Sequence, residues 1–279
     1  MLRLLGRIRG YAASVIDLEG ESTQRSARRR KLSDHSWLER GANHRWGWLQ
    51  VAVALVGLAV GLLLLRLLSA RAHSPWGYFA ADSALWAALL LSVAVGFLVS
   101  VPRGLFHWRW RDLVIGLFAG ISLRMIVDGL HWREQGFLDW PTFADPKGEV
   151  PTAWWLDGIV ATAIGAPVVE ELFYRAFLLV ALYTVFRRFT GSPAVAAVAT
   201  VCINASVFMF SHVIASAQTM SNLSAIAILL VGITTATLVL LTGRFWSALI
   251  THLTFNGLWV LLALIGTYAG VTGSYMSLT

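Results

Sequence analysis

Charged residues within apolar sequence are the strongest candidates for chemistry in this chain. The apolar segment at about 156–186 contains Glu170, Glu171 and Arg175. An Asp, Lys or Arg at the centre of a membrane helix costs about 2.5–3.5 kcal/mol, so intramembrane charges predict a functional site. Glu171 and Arg175 are four residues apart with the acid first, the better order for a helical ion pair. Glu170 has Tyr174 at that spacing rather than a cation, so its carboxylate is predicted to be available for a functional role.

Two later apolar segments carry polar residues at four-residue intervals. Asn204, Phe208 and His212 share one helix face, and His252 and Asn256 share another. A glutamate and a histidine can share the role of general base on a water molecule. A second histidine and an asparagine can donate hydrogen bonds to an oxyanion. Each residue alone also fits an ordinary interhelical hydrogen bond or ion pair, so the prediction of a hydrolytic site depends on the joint pattern.

The pattern resembles the CPBP family. This family comprises the type II CAAX prenyl endopeptidases, or Rce1-like proteases, and the bacteriocin-processing and self-immunity proteins. Three short motifs, in order on separate predicted helices, carry the resemblance across about 155–260: Glu170-Glu171-x-x-x-Arg175, Phe208-x-x-x-His212 and His252-x-x-x-Asn256.

The resemblance implies a glutamic-type intramembrane endopeptidase without a cofactor, acting on membrane-associated peptide or protein substrates, prenylated or not. In that mechanism Glu170 and His212 activate the attacking water, and His252 and Asn256 form the oxyanion site. The remaining motif residues are implied to support the site: Glu171, Arg175 and Phe208.

Long apolar runs must position these residues. The chain has 279 residues, 57% hydrophobic and 13% charged, against about 25% charged in soluble domains. Runs of about 20 residues match a hydrocarbon core roughly 30 Å thick, and backbone groups in lipid require helices. We therefore predict an all-α, polytopic transmembrane bundle. The seven expected spans are about 48–68, 83–101, 112–130, 156–186, 193–217, 223–242 and 245–266.

The fourth span contains Pro167, which lacks a backbone donor and is predicted to bend or break the helix. A basic cytoplasmic tail is expected over 1–47 and the transmembrane domain over 48–279. Residues 1–20 fit either a short amphipathic helix on the membrane surface or a partly disordered tail, and residues 21–45 are predicted to be flexible.

The net charge of +7 is explained by membrane topology rather than by nucleic-acid binding. Residues 1–46 contain ten Arg and Lys against five Asp and Glu, and further arginines fall on the same predicted side. The loop at about 131–153 is acidic. The positive-inside rule then predicts a cytoplasmic N-terminus and an external C-terminus, and we expect the plasma membrane of a bacterium. Cys202 is the one cysteine, which excludes an intrachain disulfide.

Tryptophans near the ends of apolar runs predict an interfacial belt. They are Trp46, Trp48, Trp108, Trp110, Trp132, Trp154, Trp155 and Trp246.

Other intramembrane protease classes lack their motifs here. The sequence contains no His-Glu-x-x-His and no Gly-x-Ser-Gly. A protease site built on two mid-membrane aspartates is also not expected, because the aspartates are predicted near span ends (Asp82, Asp112, Asp128 and Asp157). Two alternatives remain open. A zinc protease could use Glu170, His212 and His252 as ligands, and the chain could instead be a non-proteolytic membrane regulator or bacteriocin-immunity partner. A transporter is less favoured because no repeated half is found.

Overall fold

Seven long helices build the protein in a computed structural model that describes residues 36–39, 45–135, 140–216 and 220–271. A short helix, α1 (Ser36–Glu39), precedes them, and the described residues contain no strand. The fourth long helix, residues 156–190, changes hydrogen-bond register along its length and is called the composite helix. The other six are α2 (Trp48–Ser69), α3 (Pro75–Val99), α4 (Trp110–Gln135), α7 (Pro193–Ala215), α8 (Asn222–Thr242) and α9 (Trp246–Tyr268).

The composite helix has four parts, two of them π-helical, with hydrogen bonds that skip one residue more than in an α-helix. The parts are π1 (Leu156–Gly165), α5 (Ala166–Glu170), π2 (Glu171–Leu178) and α6 (Leu179–Thr190). Pro167 lies where π1 gives way to α5. The helix therefore continues through the proline with a change of register, so of the predicted bend or break, the break does not occur.

Six of the helices are long and apolar enough to cross a membrane, which confirms the multi-pass, all-helical fold. The composite helix holds the charged residues, and its residues 173–185 are all buried. Since a helix buried on every side must be surrounded by other helices, it is the central element of the bundle.

Local sequence explains where several helices begin and end. Ser74 and Ser192 accept hydrogen bonds from backbone N–H groups of the first turns of α3 and α7, and a proline follows each serine; both features favour helix initiation. Gly191 and Gly243, with φ of 63° and 69°, end the composite helix and α8 in the left-handed conformation.

Helix α3, the second of the expected spans, was predicted to begin near residue 83 but begins at Pro75. Its first turns contain polar residues that lower the local hydropathy and hide the cap at Ser74. Asp82 consequently lies inside α3, and Asp128 lies inside α4. Asp82 is thus deeper in its helix than predicted, whereas Asp128 does lie near a span end, three residues before the end of the candidate span Trp110–His131.

Arginine-bearing segments meet at one end of the bundle. Both oxygens of the buried Asp112 carboxylate accept hydrogen bonds from Arg244, at 2.7–3.0 Å. The Trp37 indole donates to the Gly243 carbonyl at 2.7 Å, which ties α1 to the same end. At the opposite end, the acidic loop joins α9 through a hydrogen bond of 3.2 Å between the Thr142 and Thr267 hydroxyls.

The described part of the N-terminal segment is packed. Trp37 is 3% exposed and Trp46 is 1% exposed, and the Trp46 ring contacts Phe97 and Phe177. Ser36–Glu39, within the segment predicted to be flexible, is a short helix packed through Trp37, and Trp46 belongs to the core rather than to the belt. The predicted surface helix within residues 1–20 lies outside the described residues. Exposed belt positions are Trp48, Trp108, Trp110 and Trp155.

Candidate active site

The composite helix presents its two glutamates differently. Glu170 is the last residue of α5, and Glu171 is the first residue of π2. The Glu171 and Arg175 side chains are 0% exposed, whereas the Glu170 side chain is 14% exposed. One carboxylate is thus enclosed with its cation, and the other stays accessible, as their spacing suggested.

Glu171 joins two helices. Its Oε2 lies 3.4 Å from Nε of Arg175 in an ion pair, and its Oε1 accepts a hydrogen bond from Nδ1 of His252 at 3.0 Å. The second contact, across 81 residues of sequence, was not predicted. Glu171 therefore neutralises Arg175 and also orients the His252 ring.

Arg175 has a further partner that sequence reasoning missed. Its Nε and a terminal nitrogen both donate to Oγ1 of Thr235, at 2.8 and 2.6 Å. That hydroxyl in turn donates to the Val231 carbonyl at 2.8 Å. The guanidinium also lies over the Phe208 ring, 4.5 Å from its centroid. A threonine within a membrane span is a weak signal, because such hydroxyls commonly bond to their own helix.

Two imidazoles flank the Glu170 carboxylate. Nε2 of His212 lies 3.5 Å from Oε1, and Nε2 of His252 lies 3.9 Å from Oε2. Both separations exceed ordinary hydrogen-bond lengths. The structure thus brings together the predicted carboxylate and both predicted histidines from three separate helices.

The other ring nitrogens set the protonation pattern of these histidines. Nδ1 of His212 contacts the Phe208 carbonyl at 2.8 Å, and Nδ1 of His252 contacts the Glu171 carboxylate. A carbonyl oxygen and a carboxylate paired with Arg175 both accept hydrogen bonds, so the tautomer that satisfies these contacts carries the proton on Nδ1. In the neutral rings, each Nε2 then presents a lone pair toward Glu170.

Phe208 packs between the site residues. It is 1% exposed, and its ring centroid lies 4.5 Å from that of His212 and 5.9 Å from that of His252. It also packs edge-on against Tyr174, at 5.0 Å. Since a buried aromatic ring leaves its neighbours few rotamers, Phe208 restricts both imidazoles, in keeping with a supporting role.

Asn256 lies one turn beyond His252 on α9, and its Nδ2 donates to the Thr162 carbonyl of π1 at 2.9 Å. On the other side of the glutamates, Nδ2 of Asn204 donates to the Tyr174 carbonyl of π2, also at 2.9 Å. Both asparagines therefore bond to the composite helix. The sequence placed Asn204 and Asn256 on the right faces, but it could not reveal these backbone partners.

The zinc alternative can be judged from the side chains that surround Glu170. Glu170, His212 and His252 are chemically suitable zinc ligands. Within the described ranges, however, no three His, Cys, Asp or Glu side chains are arranged to hold a metal ion. Ligation would require these side chains to move closer to a common point.

Comparison with known proteins bears on the same region. Residues 152–258 match the family model described as type II CAAX prenyl endopeptidase Rce1-like. No curated protein and no solved structure matches the chain significantly. The matched segment runs from just before the composite helix to α9 and contains all the motif residues discussed above. Residues 152–258 are thus similar to the Rce1-like family of type II CAAX prenyl endopeptidases, a family of membrane proteases.

Proposed function

We propose that the protein hydrolyses peptide bonds of membrane-held substrates, using a water molecule activated by Glu170 and His212. One observation carries the proposal: the accessible Glu170 carboxylate faces Nε2 atoms of two histidines at 3.5 and 3.9 Å. The neighbouring Glu171 is occupied by Arg175 and by Nδ1 of His252. Glu170 is therefore the carboxylate that can take up a proton during the reaction.

The proposed reaction begins with attack of the water oxygen on the scissile carbonyl carbon. Glu170 and Nε2 of His212 together accept the proton that the water loses. The resulting tetrahedral intermediate collapses with cleavage of the C–N bond, and the stored proton passes to the leaving nitrogen. The products are a carboxyl group and an amine, and the enzyme returns to its starting state.

His252 and Asn256 are proposed to stabilise the oxyanion of this intermediate. The Nδ1 proton of His252 is committed to Glu171, so donation from Nε2 requires the doubly protonated imidazolium. Asn256 needs no change of protonation, since its amide has two N–H donors and one is used by Thr162. A donor of this kind contributes about 10²–10³ to kcat.

The Glu170→Gln variant tests the proposal most directly. It should abolish cleavage while the protein still inserts and folds, because glutamine keeps the shape but cannot act as a base. Cleavage of a fluorogenic peptide and of a prenylated counterpart should be measured for both proteins in the same membranes. Wild-type cleavage by Glu170→Gln would remove this carboxylate from the reaction, and comparison of the two peptides would define the substrate class.

The oxyanion proposal is tested separately with Asn256→Ala. An interaction made only in the transition state should lower kcat by about 10²–10³ and leave KM nearly unchanged. Binding of an uncleavable substrate should be retained. If the variant cleaves at the wild-type rate, or simply fails to fold, the assignment is wrong.

Zinc dependence is the competing chemical proposal, with Glu170, His212 and His252 as ligands. Metal analysis of the purified protein together with a chelator distinguishes the two. Full activity in a metal-free preparation supports glutamate-activated water, whereas loss on chelation and recovery with zinc supports the zinc site. A non-proteolytic regulatory role would instead be supported if a Glu170→Ala strain kept its phenotype.

A further inference from the structure

The register change at Pro167 leaves one carbonyl without a helical donor. The N–H of Ala166 bonds to the Ala161 carbonyl, five residues back. In the same register, residue 167 would donate to the carbonyl of Thr162, but proline has no N–H. In the structure the Thr162 carbonyl accepts a hydrogen bond from Nδ2 of Asn256 at 2.9 Å. Asn256 thus supplies the donor that Pro167 lacks.

This bond has a consequence for the Asn256 side chain. A carbonyl oxygen only accepts hydrogen bonds, so the NH2 end of the amide must face Thr162 and Oδ1 must face away. One N–H of Asn256 is used, and the second remains. His252, one turn earlier on α9, is held by the composite helix in the same way, through Nδ1 and Glu171.

We propose that Pro167 and the Thr162 carbonyl position Asn256 for catalysis. Because Pro167 lacks an N–H, the Thr162 carbonyl stays available to accept a hydrogen bond from the Asn256 amide. This bond orients the amide so that the second N–H of Asn256 points toward the substrate. This inference rests on the proposed oxyanion role of Asn256. It makes Pro167 and Thr162 positioning residues that act through Asn256 without touching the substrate.

The Pro167→Ala variant tests the inference because alanine restores the missing donor. Its N–H competes for the Thr162 carbonyl, so the Asn256 amide loses its orienting bond. A neutral hydrogen bond of this kind changes an equilibrium by roughly two- to tenfold, and kcat should fall by that factor with KM unchanged. The melting temperature should stay the same or rise, because alanine is far better than proline inside a helix.

A matched control distinguishes the effect of restoring the backbone N–H from the effect of removing the proline ring. Lactic acid at position 167 has the shape of alanine but an ester oxygen in place of the N–H, and it should keep nearly the wild-type kcat. A third variant covers the case in which Pro167→Ala fails to fold. Lactic acid in place of Ala163 turns the Thr162 carbonyl into a weaker ester acceptor, and it should lower kcat.

The double variant Pro167→Ala/Asn256→Ala gives the sharpest outcome. Its kcat should equal that of Asn256→Ala, since both changes act through one amide. Asn256→Ala leaves the Thr162 carbonyl without a donor and should lower the melting temperature, and the N–H that Pro167→Ala adds should restore it. The inference is overturned if the two kcat losses multiply, if Pro167→Ala has wild-type kcat, or if both residue-167 variants lose activity equally. Wild-type cleavage by Asn256→Ala would refute the underlying oxyanion role, which distinguishes the two failures.

Discussion

Glutamine in place of Glu171 should destabilise the protein by leaving the Arg175 guanidinium without a counter-ion. Both side chains are 0% exposed, and removing one partner of a buried pair costs about 3–5 kcal/mol. Arg175 keeps two hydrogen bonds to Thr235 and its contact with Phe208. We therefore expect the lower end of the range, about 3 kcal/mol.

Thermal unfolding in detergent measures this loss. For a chain of this size, about 2–4 °C per kcal/mol is ordinary, so the Glu171→Gln melting temperature should fall by roughly 6–12 °C. Glu170→Gln is the matched control, with the same chemical change one residue away. Its side chain has no buried guanidinium to strand, so its melting temperature should change far less while cleavage is lost.

A second variant tests the cause of the destabilisation. Adding Arg175→Met to Glu171→Gln removes the stranded charge and should restore part of the lost melting temperature, since methionine fills a similar volume. Equal melting temperatures for the two single glutamine variants would refute the division of roles between Glu170 and Glu171. A double variant less stable than Glu171→Gln would refute the stranded-charge explanation.

Two further changes test other parts of the structure. Thr235→Val keeps the shape but removes the acceptor shared by two Arg175 nitrogens, so we expect a loss of about 1–3 kcal/mol in unfolding free energy; an unchanged melting temperature would show that this bond contributes nothing. For topology, single cysteines replacing the exposed residues Lys147 and Arg111 should react with an impermeant maleimide from outside and from the cytoplasm, respectively, once Cys202 has been replaced. The reverse labelling pattern would overturn the predicted orientation.

Local sequence was a good guide to the helices. Long helices occur at all seven expected positions, and six of them are long and apolar enough to cross a membrane, because apolar length and intrahelical hydrogen bonding are properties of each segment by itself. The observed helix boundaries differ from the predicted ones where a capping residue, rather than the hydropathy of the segment, sets the start of the helix, as at Ser74 and Pro75. The prediction failed at Trp46, because sequence position near a span end does not tell whether an indole faces lipid or the core.

The site was predicted in part for the same reason. Four-residue spacing places His252 and Asn256 on one helix face, and it places Arg175 within reach of Glu171. Sequence spacing cannot reveal a partner on another helix, however, so Thr235 and the Thr162 carbonyl were missed. The π-helical register of the composite helix was also missed, since the loss of a single donor at Pro167 is compatible with a break, a bend or a register change.

The amino-acid sequence by itself determined that this is a multi-pass helical membrane protein with three polar motifs inside its spans, because those features follow from local composition and helical periodicity. Tertiary structure alone decided that Glu171 serves Arg175 and His252 together, and that Glu170 stands between two imidazoles. It also decided that Asn256 completes the hydrogen bonding of the composite helix. The contacts between helices join residues that are 42 to 94 positions apart, and they exist only once the helices have packed at a particular rotation and depth.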